Sequence, residues 1–281
     1  MKKRILLVGG GGFLGKEIRK QLNNRFDVFY TSRNPEDERG IKLSLDDDDD
    51  VEFEVSNFDA VVYNAAHLPR PQNLKTPICK KVNFDSAVKA FESFKFNCEK
   101  FIYISTTAIF ESNVNVIYEE TLSTATCDYS VSKKNAEDFL LTCESGCSIG
   151  ILRPGTIYGD SMNSDRILPF MIKQAKEKID FDVINPDTLL HVVHVDDVVK
   201  SIEKMIEGNS TVCCNLVSET LSKLDLANMV KKNYGIIENF EIKDYNKRSS
   251  FDNRKFIKLI GKDPISIKEY LDGQESRGYL W

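Results

Sequence analysis

The sequence predicts an α/β protein in which a doubly wound parallel sheet carries a smaller C-terminal α/β lobe. A glycine cluster directly follows a short apolar strand, and short apolar strands then alternate with helical segments up to Gly159. Beyond that residue the alternation becomes irregular. Such alternation is typical of a parallel sheet covered by helices on both faces. A chain of 281 residues is long enough for this domain and a smaller lobe.

The strands of the predicted sheet are short apolar runs, of which the third is the weakest. They are Arg4–Val8, Phe26–Thr31, Ile41–Leu45, Ala60–Asn64, Phe101–Ser105 and Ile149–Arg153. The segment after the glycine cluster is predicted to form an amphipathic helix with Ile18 and Leu22 on one face. Right-handed crossovers between parallel strands give a doubly wound sheet. In such sheets ligands bind at the carboxyl ends of the strands, so we expect a ligand there.

Composition excludes several classes of partner. A net charge of -5 argues against nucleic acid, which needs a basic face. No apolar run approaches the ~20 residues of a membrane-spanning helix. Lys2, Lys3 and Arg4 precede an apolar run that is shorter than the roughly 7–15 residues of a secretory signal. We therefore expect a cytoplasmic protein without nucleic-acid or membrane partners.

The cysteines and histidines do not form a recognisable metal or disulfide pattern. There are seven cysteines and three histidines, and no two cysteines are spaced as C-x-x-C. An odd number of scattered cysteines argues against a disulfide framework and against a zinc site. We expect buried, reduced thiols and no bound metal.

The glycine cluster, Val8-Gly-Gly-Gly-Gly-Phe-Leu-Gly15, fits two spacings at once. Gly10, Gly12 and Gly15 match G-x-G-x-x-G, whereas Gly9, Gly12 and Gly15 match the wider G-x-x-G-x-x-G. A glycine loop between a strand and a helix lets backbone N–H groups approach a pyrophosphate at the positive end of the helix. The alternative is a flexible turn, and the stretch alone does not choose between the spacings.

Tyr129-Ser-Val-Ser-Lys133 is a Y-x-x-x-K pair. On a helix, positions i and i+4 share one face, so the phenol and the ammonium project in the same direction. A nearby cation lowers the pKa of a phenol from ~10, which suits a proton donor or acceptor beside a nicotinamide. One such pair is expected by chance in this composition, so its neighbours must decide.

The neighbouring strand ends carry small and hydroxyl-bearing residues. Ile104-Ser-Thr-Thr-Ala-Ile-Phe110 places hydroxyl groups where a sheet presents ligands, and Asn64-Ala65-Ala66 leaves room for a cofactor beside the backbone. Leu152-Arg-Pro-Gly-Thr-Ile-Tyr-Gly159 follows the next strand.

With these motifs the chain resembles the extended short-chain dehydrogenase/reductase family, which includes nucleotide-sugar epimerases, dehydratases and 4-keto-sugar reductases. The resemblance runs from VGGGGFLG through YSVSK, LRPGTIYG and HVVHVDDVV to FDNRKFIKLIG, nearly the whole chain. It implies a Rossmann-type dinucleotide-binding domain over residues 1–159, to which 188–217 return. It also implies a substrate lobe over 160–187 and 218–281.

The resemblance also assigns residues. It implies that Thr106 bonds the reacting oxygen, that Tyr129 is the acid/base, and that Lys133 holds the nicotinamide ribose and tunes the phenol. The residues that it implies at the cofactor are Gly9, Gly12, Phe13, Leu14, Gly15, Ser32, Arg33, Asn64, Ala65, Ala66, Tyr129 and Lys133. For Thr106 the alternative is a strand-end hydroxyl that caps its own backbone.

Cofactor choice depends on the end of the second strand, Tyr30-Thr-Ser-Arg33. NAD-using members carry an acid there, but the next acid in this chain is Glu36. Arg33, with Ser32, could hold a 2′-phosphate by a bidentate contact, and a solvated loop arginine is the alternative. NADP is therefore favoured, with NAD left open.

The predicted reaction follows from the same resemblance. Thr107-Ala108 stands where 4,6-dehydratases carry Asp-Glu, and without a carboxylate there dehydration is not the expected reaction. With NADP favoured, we expect an NADPH-dependent reductase of a 4-keto-6-deoxy sugar nucleotide, with Tyr129 delivering the proton. An epimerase with retained NAD is the alternative, followed by another dehydrogenase and by a non-catalytic NADP-binding regulator.

Substrate contacts are predicted from a position at which this chain differs from the family that it resembles. Leu190 stands where many nucleotide-sugar enzymes place an arginine against the diphosphate, and an apolar side chain cannot make that contact. Arg248 is the first candidate to replace it and Arg166 the second, with ordinary surface arginines as the alternative. The expected partner is a small-molecule substrate, a nucleotide sugar, and a homodimer is left open.

Overall fold

The structure is a computed structural model that describes residues 1–46, 52–53, 57–68, 76–110, 115–237 and 250–277. The chain clusters into two compact units. The first comprises Met1–Ser112, Glu119–Arg153 and Val199–Cys214, and the second comprises Asn113–Tyr118, Pro154–Val198 and Asn215–Trp281. The boundary between them falls after Arg153, whereas the sequence pattern changes at Gly159. The roles of the two units as cofactor and substrate domains stay predictions.

The central feature is a seven-stranded sheet with the order β10-β7-β5-β4-β1-β2-β3. Its strands are β1 (Arg4–Val8), β2 (Asp27–Ser32), β3 (Gly40–Lys42), β4 (Ala60–Tyr63), β5 (Lys100–Ile104), β7 (Ser148–Pro154) and β10 (Val212–Leu216). Neighbours from β3 through β7 pair in parallel. The fold class is therefore confirmed. The chain runs outward from β1 to β3 and then returns to β4, so β1 and β4 flank the switch point where α/β sheets bind ligands.

Helices cover the sheet because its strands are apolar on both faces. Every residue of β4 and β5 is buried, which is typical of strands sandwiched between helices. Phe91, Phe94, Ala136 and Leu140 belong to one apolar core cluster with residues of these strands. The helices that lie wholly in this unit are α1 (Phe13–Leu22), α2 (Thr76–Lys80), α3 (Ser86–Phe94) and α4 (Asp128–Thr142). A π-helical segment, Lys81–Asp85, joins α2 to α3.

The second unit contains two small sheets. One has the order β11-β9-β8 and the other pairs β12 with β6. Their strands are β6 (Val116–Ile117), β8 (Thr156–Tyr158), β9 (Leu189–His194), β11 (Glu219–Ser222) and β12 (Ser250–Phe251). The remaining helices are α5 (Ile167–Lys176), α6 (Val195–Glu207), α7 (Lys223–Asn233), α8 (Arg254–Ile260) and α9 (Ile267–Arg277), of which α6 crosses the boundary between the units. None of the helices within the described ranges is long and apolar enough to cross a membrane.

Candidate cofactor and active site

The glycine loop after β1 is held in place by its neighbours. Gly9 has φ +90°, a left-handed conformation that favours glycine, and a Cβ there would lie 2.7 Å from the Ala65 backbone nitrogen. The Gly9 N–H donates to Thr31 Oγ1 at 3.1 Å, and Asn64 Nδ2 donates to the Gly9 carbonyl at 3.0 Å. Asn64 therefore positions the loop by a direct bond, and Ala65 is small because the loop lies against it.

The surroundings of the other two glycines of the wider spacing differ: Gly15 is closely packed, whereas Gly12 faces open space. A Cβ at Gly15 would lie 2.5 Å from the Gly9 carbonyl oxygen, so close packing of α1 on the loop excludes a side chain. At Gly12 a Cβ would meet nothing within 4 Å among the described residues. Gly12 is also the N-cap of α1, and as a glycine it has no side chain that could accept a hydrogen bond from the first turn.

A side chain at Gly12 would point into open space at the N-terminus of α1. Helix N-terminal N–H groups need a partner, and an open cradle at that end suits an anion because the helix dipole is positive there. Phe13 and Leu14 begin the helix directly after this position. Gly10, by contrast, packs against Tyr30, whose Cβ would lie 2.5 Å from an added Cβ. This contact gives Gly10 a packing reason that the spacing alone did not reveal.

Ser32 ends the second strand beside the same loop, and Arg33 follows directly after the strand. The Ser32 hydroxyl lies 2.7 Å from the position of a Cβ on Gly11. Arg33 is an exposed side chain, with 72% of its surface accessible, and its guanidinium reaches Asp46 at 3.4 Å. An ion pair this exposed contributes little to stability, so the guanidinium can leave Asp46 for a stronger anion.

Glu36, the first acid after this strand, is already engaged. Its carboxylate bonds Lys16 at 2.9 Å and Arg19 at 3.2 Å, both on α1. Its backbone N–H donates to the Tyr30 hydroxyl at 2.7 Å. The hydrogen bond from Lys16, followed by that from Arg19, lowers the pKa of Glu36. These bonds tie Glu36 to α1, which leaves Arg33 as the charged residue at the strand end.

Thr106 follows β5 and caps the 3-10 turn Thr107–Ile109. Its Oγ1 accepts a hydrogen bond from the Ala108 N–H at 3.1 Å, which is the backbone-capping alternative considered from the sequence. That bond uses an acceptor site of the hydroxyl and leaves its proton able to donate. The adjacent Ser105 Oγ is buried and has no hydrogen-bond partner among the described residues.

Lys133 is the most deeply buried charged group of the predicted site. It lies on α4, is 1% exposed, and its Nζ donates to the Ile104 carbonyl at 2.8 Å. The ammonium also lies 4.7 Å from the ring centroid of Tyr103. Burial lowers the pKa of Lys133 to about 7, although the carboxylate of Glu137 partly offsets this effect.

Tyr129 lies one turn before Lys133 on the same helix, as the spacing predicts, and is half-buried. Helix α4 packs against the turn that Thr106 caps. The first unit therefore carries the predicted catalytic residues, Thr106, Tyr129 and Lys133, on β5 and α4.

The sequence interpretation missed Asn83, which links the parts of this site. Its side-chain amide donates to the His67 carbonyl at 3.0 Å and to Ser132 Oγ at 3.1 Å, and its Oδ1 accepts from the His67 N–H at 2.8 Å. Its carbonyl accepts from the Tyr103 hydroxyl at 2.7 Å. Asn83 is fully buried in the π-helical segment. An asparagine between apolar Val82 and Phe84 was the signal available in the sequence.

The predicted substrate residues are not tested by this geometry. Arg166 is exposed at the N-cap of α5 in the second unit, and Arg248 lies outside the described residues. Leu190 lies half-buried in β9. That Leu190 stands in the place of a family arginine, and that Arg248 or Arg166 replaces this arginine, both stay predictions.

Gly12→Ala and Gly15→Ala should separate dinucleotide binding from folding. The first adds a methyl group to open space, so we expect it to lower the free energy of unfolding by less than about 1 kcal/mol. It should weaken dinucleotide binding by roughly 10-fold or more, because the methyl group occupies the cradle. Gly15→Ala should lower the free energy of unfolding by about 2 kcal/mol or more. Urea denaturation and fluorescence titration with NADH and NADPH measure the two effects. Equal destabilisation by both substitutions would contradict this interpretation.

Lys133→Met should change how stability depends on pH. The pKa of Lys133 is about 7 in the folded chain and about 10.4 in an unfolded chain, so the unfolded chain binds more protons between these values. Keeping a charge on buried Lys133 therefore lowers the unfolding free energy of the ligand-free wild type. This loss of stability is complete below about pH 7 and disappears as the pH approaches ~10. The variant has no charge at this position and does not lose this stability.

Urea denaturation of both ligand-free proteins across this pH range measures the difference. The quantity compared is the unfolding free energy of Lys133→Met minus that of the wild type. We expect this difference to be largest in favour of the variant near pH 6, roughly one unit below the folded pKa, and to decrease toward pH ~10. Lys134→Met, which removes a half-buried lysine on the same helix that pairs with Asp138, is the control. A difference that does not vary with pH would contradict the buried state of Lys133.

Comparisons with known proteins support the fold and the motifs. The family model described as "NAD dependent epimerase/dehydratase family" matches residues 5–213. No curated protein matches the chain significantly. Many solved structures do match, at sequence identities that establish the fold alone.

Three of these structures illustrate the likeness. The complex of MoeE5 with UDP-glucose and NAD has a TM-score of 0.82 at 20% identity, and the match covers 97% of each chain. UDP-glucuronic acid 4-epimerase from Bacillus cereus with NAD has a TM-score of 0.79 at 21% identity, covering 97% of this chain and 96% of that one. UDP-glucose 4-epimerase from Thermotoga maritima with UDP-glucose has a TM-score of 0.76 at 19% identity, covering 95% and 96%. With three quarters of its length matched by the family model, this chain belongs to the NAD dependent epimerase/dehydratase family, the enzymes of the extended short-chain dehydrogenase/reductase type.

Proposed function

We propose that this protein is a nucleotide-sugar epimerase that oxidises and re-reduces one carbon of the sugar with a retained nicotinamide dinucleotide. The observation that carries the proposal is the buried Lys133 ammonium, which bonds the Ile104 carbonyl at the end of β5. This bond fixes the helix face that bears Tyr129 beside the strand end that bears Thr106.

The comparisons favour epimerisation over the reduction that the sequence placed first. Two of the similar structures are named as 4-epimerases, and a third is the protein MoeE5 in complex with UDP-glucose and NAD. Each of those names describes another protein, at identities near 20%. Thr107 and Ala108 follow Thr106 without a carboxylate, which is consistent with an enzyme that does not eliminate water.

In this proposal each residue has a defined part. Tyr129 removes the proton from the sugar hydroxyl when the carbon is oxidised and returns it when the carbon is reduced. Thr106, whose oxygen already accepts from the Ala108 N–H, donates its proton to the same sugar oxygen. Lys133 holds the ribose hydroxyls. The dinucleotide supplies the hydride acceptor and donor when bound, with its pyrophosphate on the cradle at Gly12.

A second candidate is the NADPH-dependent reduction of a 4-keto sugar nucleotide. One specific observation favours it, namely that Arg33 is exposed and only weakly paired with Asp46, while Glu36 is tied to α1. A strand end with an exposed cation, where the first acid of the following segment is bonded to α1, suits a 2′-phosphate. NADP is therefore kept beside NAD as the cofactor.

Retained cofactor distinguishes the two candidates. Protein purified without added nucleotide should release NAD⁺ or NADP⁺ on denaturation if it is an epimerase, and it should interconvert the C4 epimers of a UDP-sugar without net oxidation. Chromatography of the denatured supernatant and NMR of the sugar products measure these outcomes. Stoichiometric oxidation of NADPH by enzymatically generated 4-keto nucleotide sugars, with no epimerisation, would favour the reductase instead.

Tyr129→Phe should retain the fold and the dinucleotide but lose turnover. Removing an acid/base typically costs on the order of 10²–10⁴-fold in rate, and we expect kcat to fall within that range in the epimerisation assay. Tyr118→Phe, at a partly exposed tyrosine outside the first unit, is the matched control and should leave kcat unchanged. Near-normal kcat in Tyr129→Phe would exclude the proposed mechanism.

Arg33→Ala should reduce the preference for a 2′-phosphate. A lost charge-assisted hydrogen bond corresponds to roughly 10–100-fold in affinity, so we expect NADPH to bind that much more weakly while NADH affinity stays nearly constant. Arg39→Ala, at a partly exposed arginine paired with Asp27, is the control. Titrations with both cofactors test this expectation, and a wild type that binds NADH and NADPH equally would remove the case for NADP.

A further inference from the structure

Two cysteines lie next to each other at the start of β5 and β7, the edge of the sheet opposite the catalytic residues. Backbone hydrogen bonds bracket the pair. The Ser148 N–H donates to the Glu99 carbonyl at 3.0 Å, and the Gly146 N–H donates to the Lys95 carbonyl at 2.9 Å. Cys147 therefore lies between two residues that bond the segment containing Cys98, which holds both backbones in close register.

The two thiols are close enough for each to shift the pKa of the other. Cys147 belongs to the apolar core cluster, and Cys98 packs against that cluster. Among the described residues, no cluster of His, Cys, Asp or Glu could hold a metal ion. A close pair of thiols without further ligands is suited to sulfur–sulfur chemistry rather than to metal binding.

Charge around the pair makes one sulfur the better nucleophile. The neighbouring Cys98 thiol lowers the pKa of Cys147 to about 7 against the opposing effect of burial, and Ser145 and the Lys100 ammonium make smaller contributions in the same direction as Cys98. The neighbouring Cys147 raises the pKa of Cys98, and burial and Glu99 add to this effect. Lys100 is itself buried and donates to the Ser210 carbonyl at 2.8 Å. Because the thiolate is the reactive form of cysteine, Cys147 should react first.

An oxidant can approach from the Cys98 side. Cys98 is half-buried and lines an open cavity of about 590 Å³ together with Lys3, Phe96 and Glu99. Cys147 is 8% exposed. The sequence predicted buried cysteines, but Cys98, Cys143 and Cys213 are half-buried and Cys127 is exposed. The pair therefore combines a thiolate with a route from solvent.

We propose that Cys98 and Cys147 form a redox-active dithiol that a hydroperoxide converts reversibly into a disulfide. The Cys147 thiolate attacks the peroxide, so that an S–O bond forms and the O–O bond breaks, and the departing oxygen takes a proton from solvent, equal to the one that the thiol lost, and leaves as alcohol or water. The Cys98 sulfur then attacks Cys147, so that the S–S bond forms and the hydroxide departs with the Cys98 proton as water. The thiols lose two electrons and the peroxide gains them.

This disulfide would stabilise the fold rather than take part in the sugar chemistry. At ~3.3 Å per strand residue, Cys98 lies roughly 26 Å along the chain from Thr106. The crosslink would join the starts of two neighbouring strands and close a long loop, which constrains the unfolded chain. The inference is therefore independent of the proposed enzymatic function.

Intact protein treated with hydrogen peroxide, alkylated under denaturing conditions and digested tests the proposal. We expect two fewer alkylated thiols than the seven of the reduced chain and a single crosslinked peptide pair containing Cys98 and Cys147. Dithiothreitol should restore all thiols, and the oxidised protein should unfold at a higher Tm.

Variants separate the two steps. Cys98→Ser should stop at a sulfenic acid on Cys147 that dimedone labels, and Cys147→Ala should give no crosslink. Cys143→Ser, at another half-buried cysteine packed against the same core cluster, should form the disulfide normally. Retention of all thiols in the oxidised wild type, a crosslink between other cysteines, or sulfinic acid on Cys147 without a crosslink would each overturn the proposal.

Discussion

The carboxyl edge of the central sheet depends on close backbone contact between the glycine loop after β1 and the segment after β4. Gly9 lies so near Ala65 that a Cβ would overlap the backbone nitrogen, and Asn64 fastens the loop by bonding the Gly9 carbonyl. This contact occurs at the switch point of the sheet, where β1 and β4 are neighbours. The position of the α1 N-terminus, and with it any phosphate site, follows from this one approach.

A second constraint is the burial of Lys133, which is unfavourable for a charge unless it is compensated. The Ile104 carbonyl and the face of the Tyr103 ring supply the compensation. Tyr103 is in turn oriented by its bond to the Asn83 carbonyl, and the π-helical segment presents that carbonyl. The ammonium is thus supported from β5 and from the segment after α2, so that a defect in either would be transmitted to α4.

Much of the fold and part of the site could be predicted from sequence. The strands β1, β4 and β5 and the helix carrying Tyr129 were predictable because their periodicity is local. Asn83 was not, since its importance arises from partners distant in sequence, His67 and Tyr103. Gly10 was not either, because its contact with Tyr30 crosses between strands. The ion pairs that Glu36 forms with α1 were likewise not predictable, because they join residues that are distant in sequence.

The depressed pKa of Lys133 also links ligand capture to acid–base equilibrium in the surrounding solution. Because burial lowers its pKa to about 7, Lys133 exchanges a proton with solvent near neutral pH. A ligand whose hydroxyl groups require the ammonium would then take up protons from the buffer as it binds. The heat of binding would then depend on the ionisation enthalpy of the buffer, so calorimetry in phosphate and in Tris would give different apparent enthalpies for one and the same association.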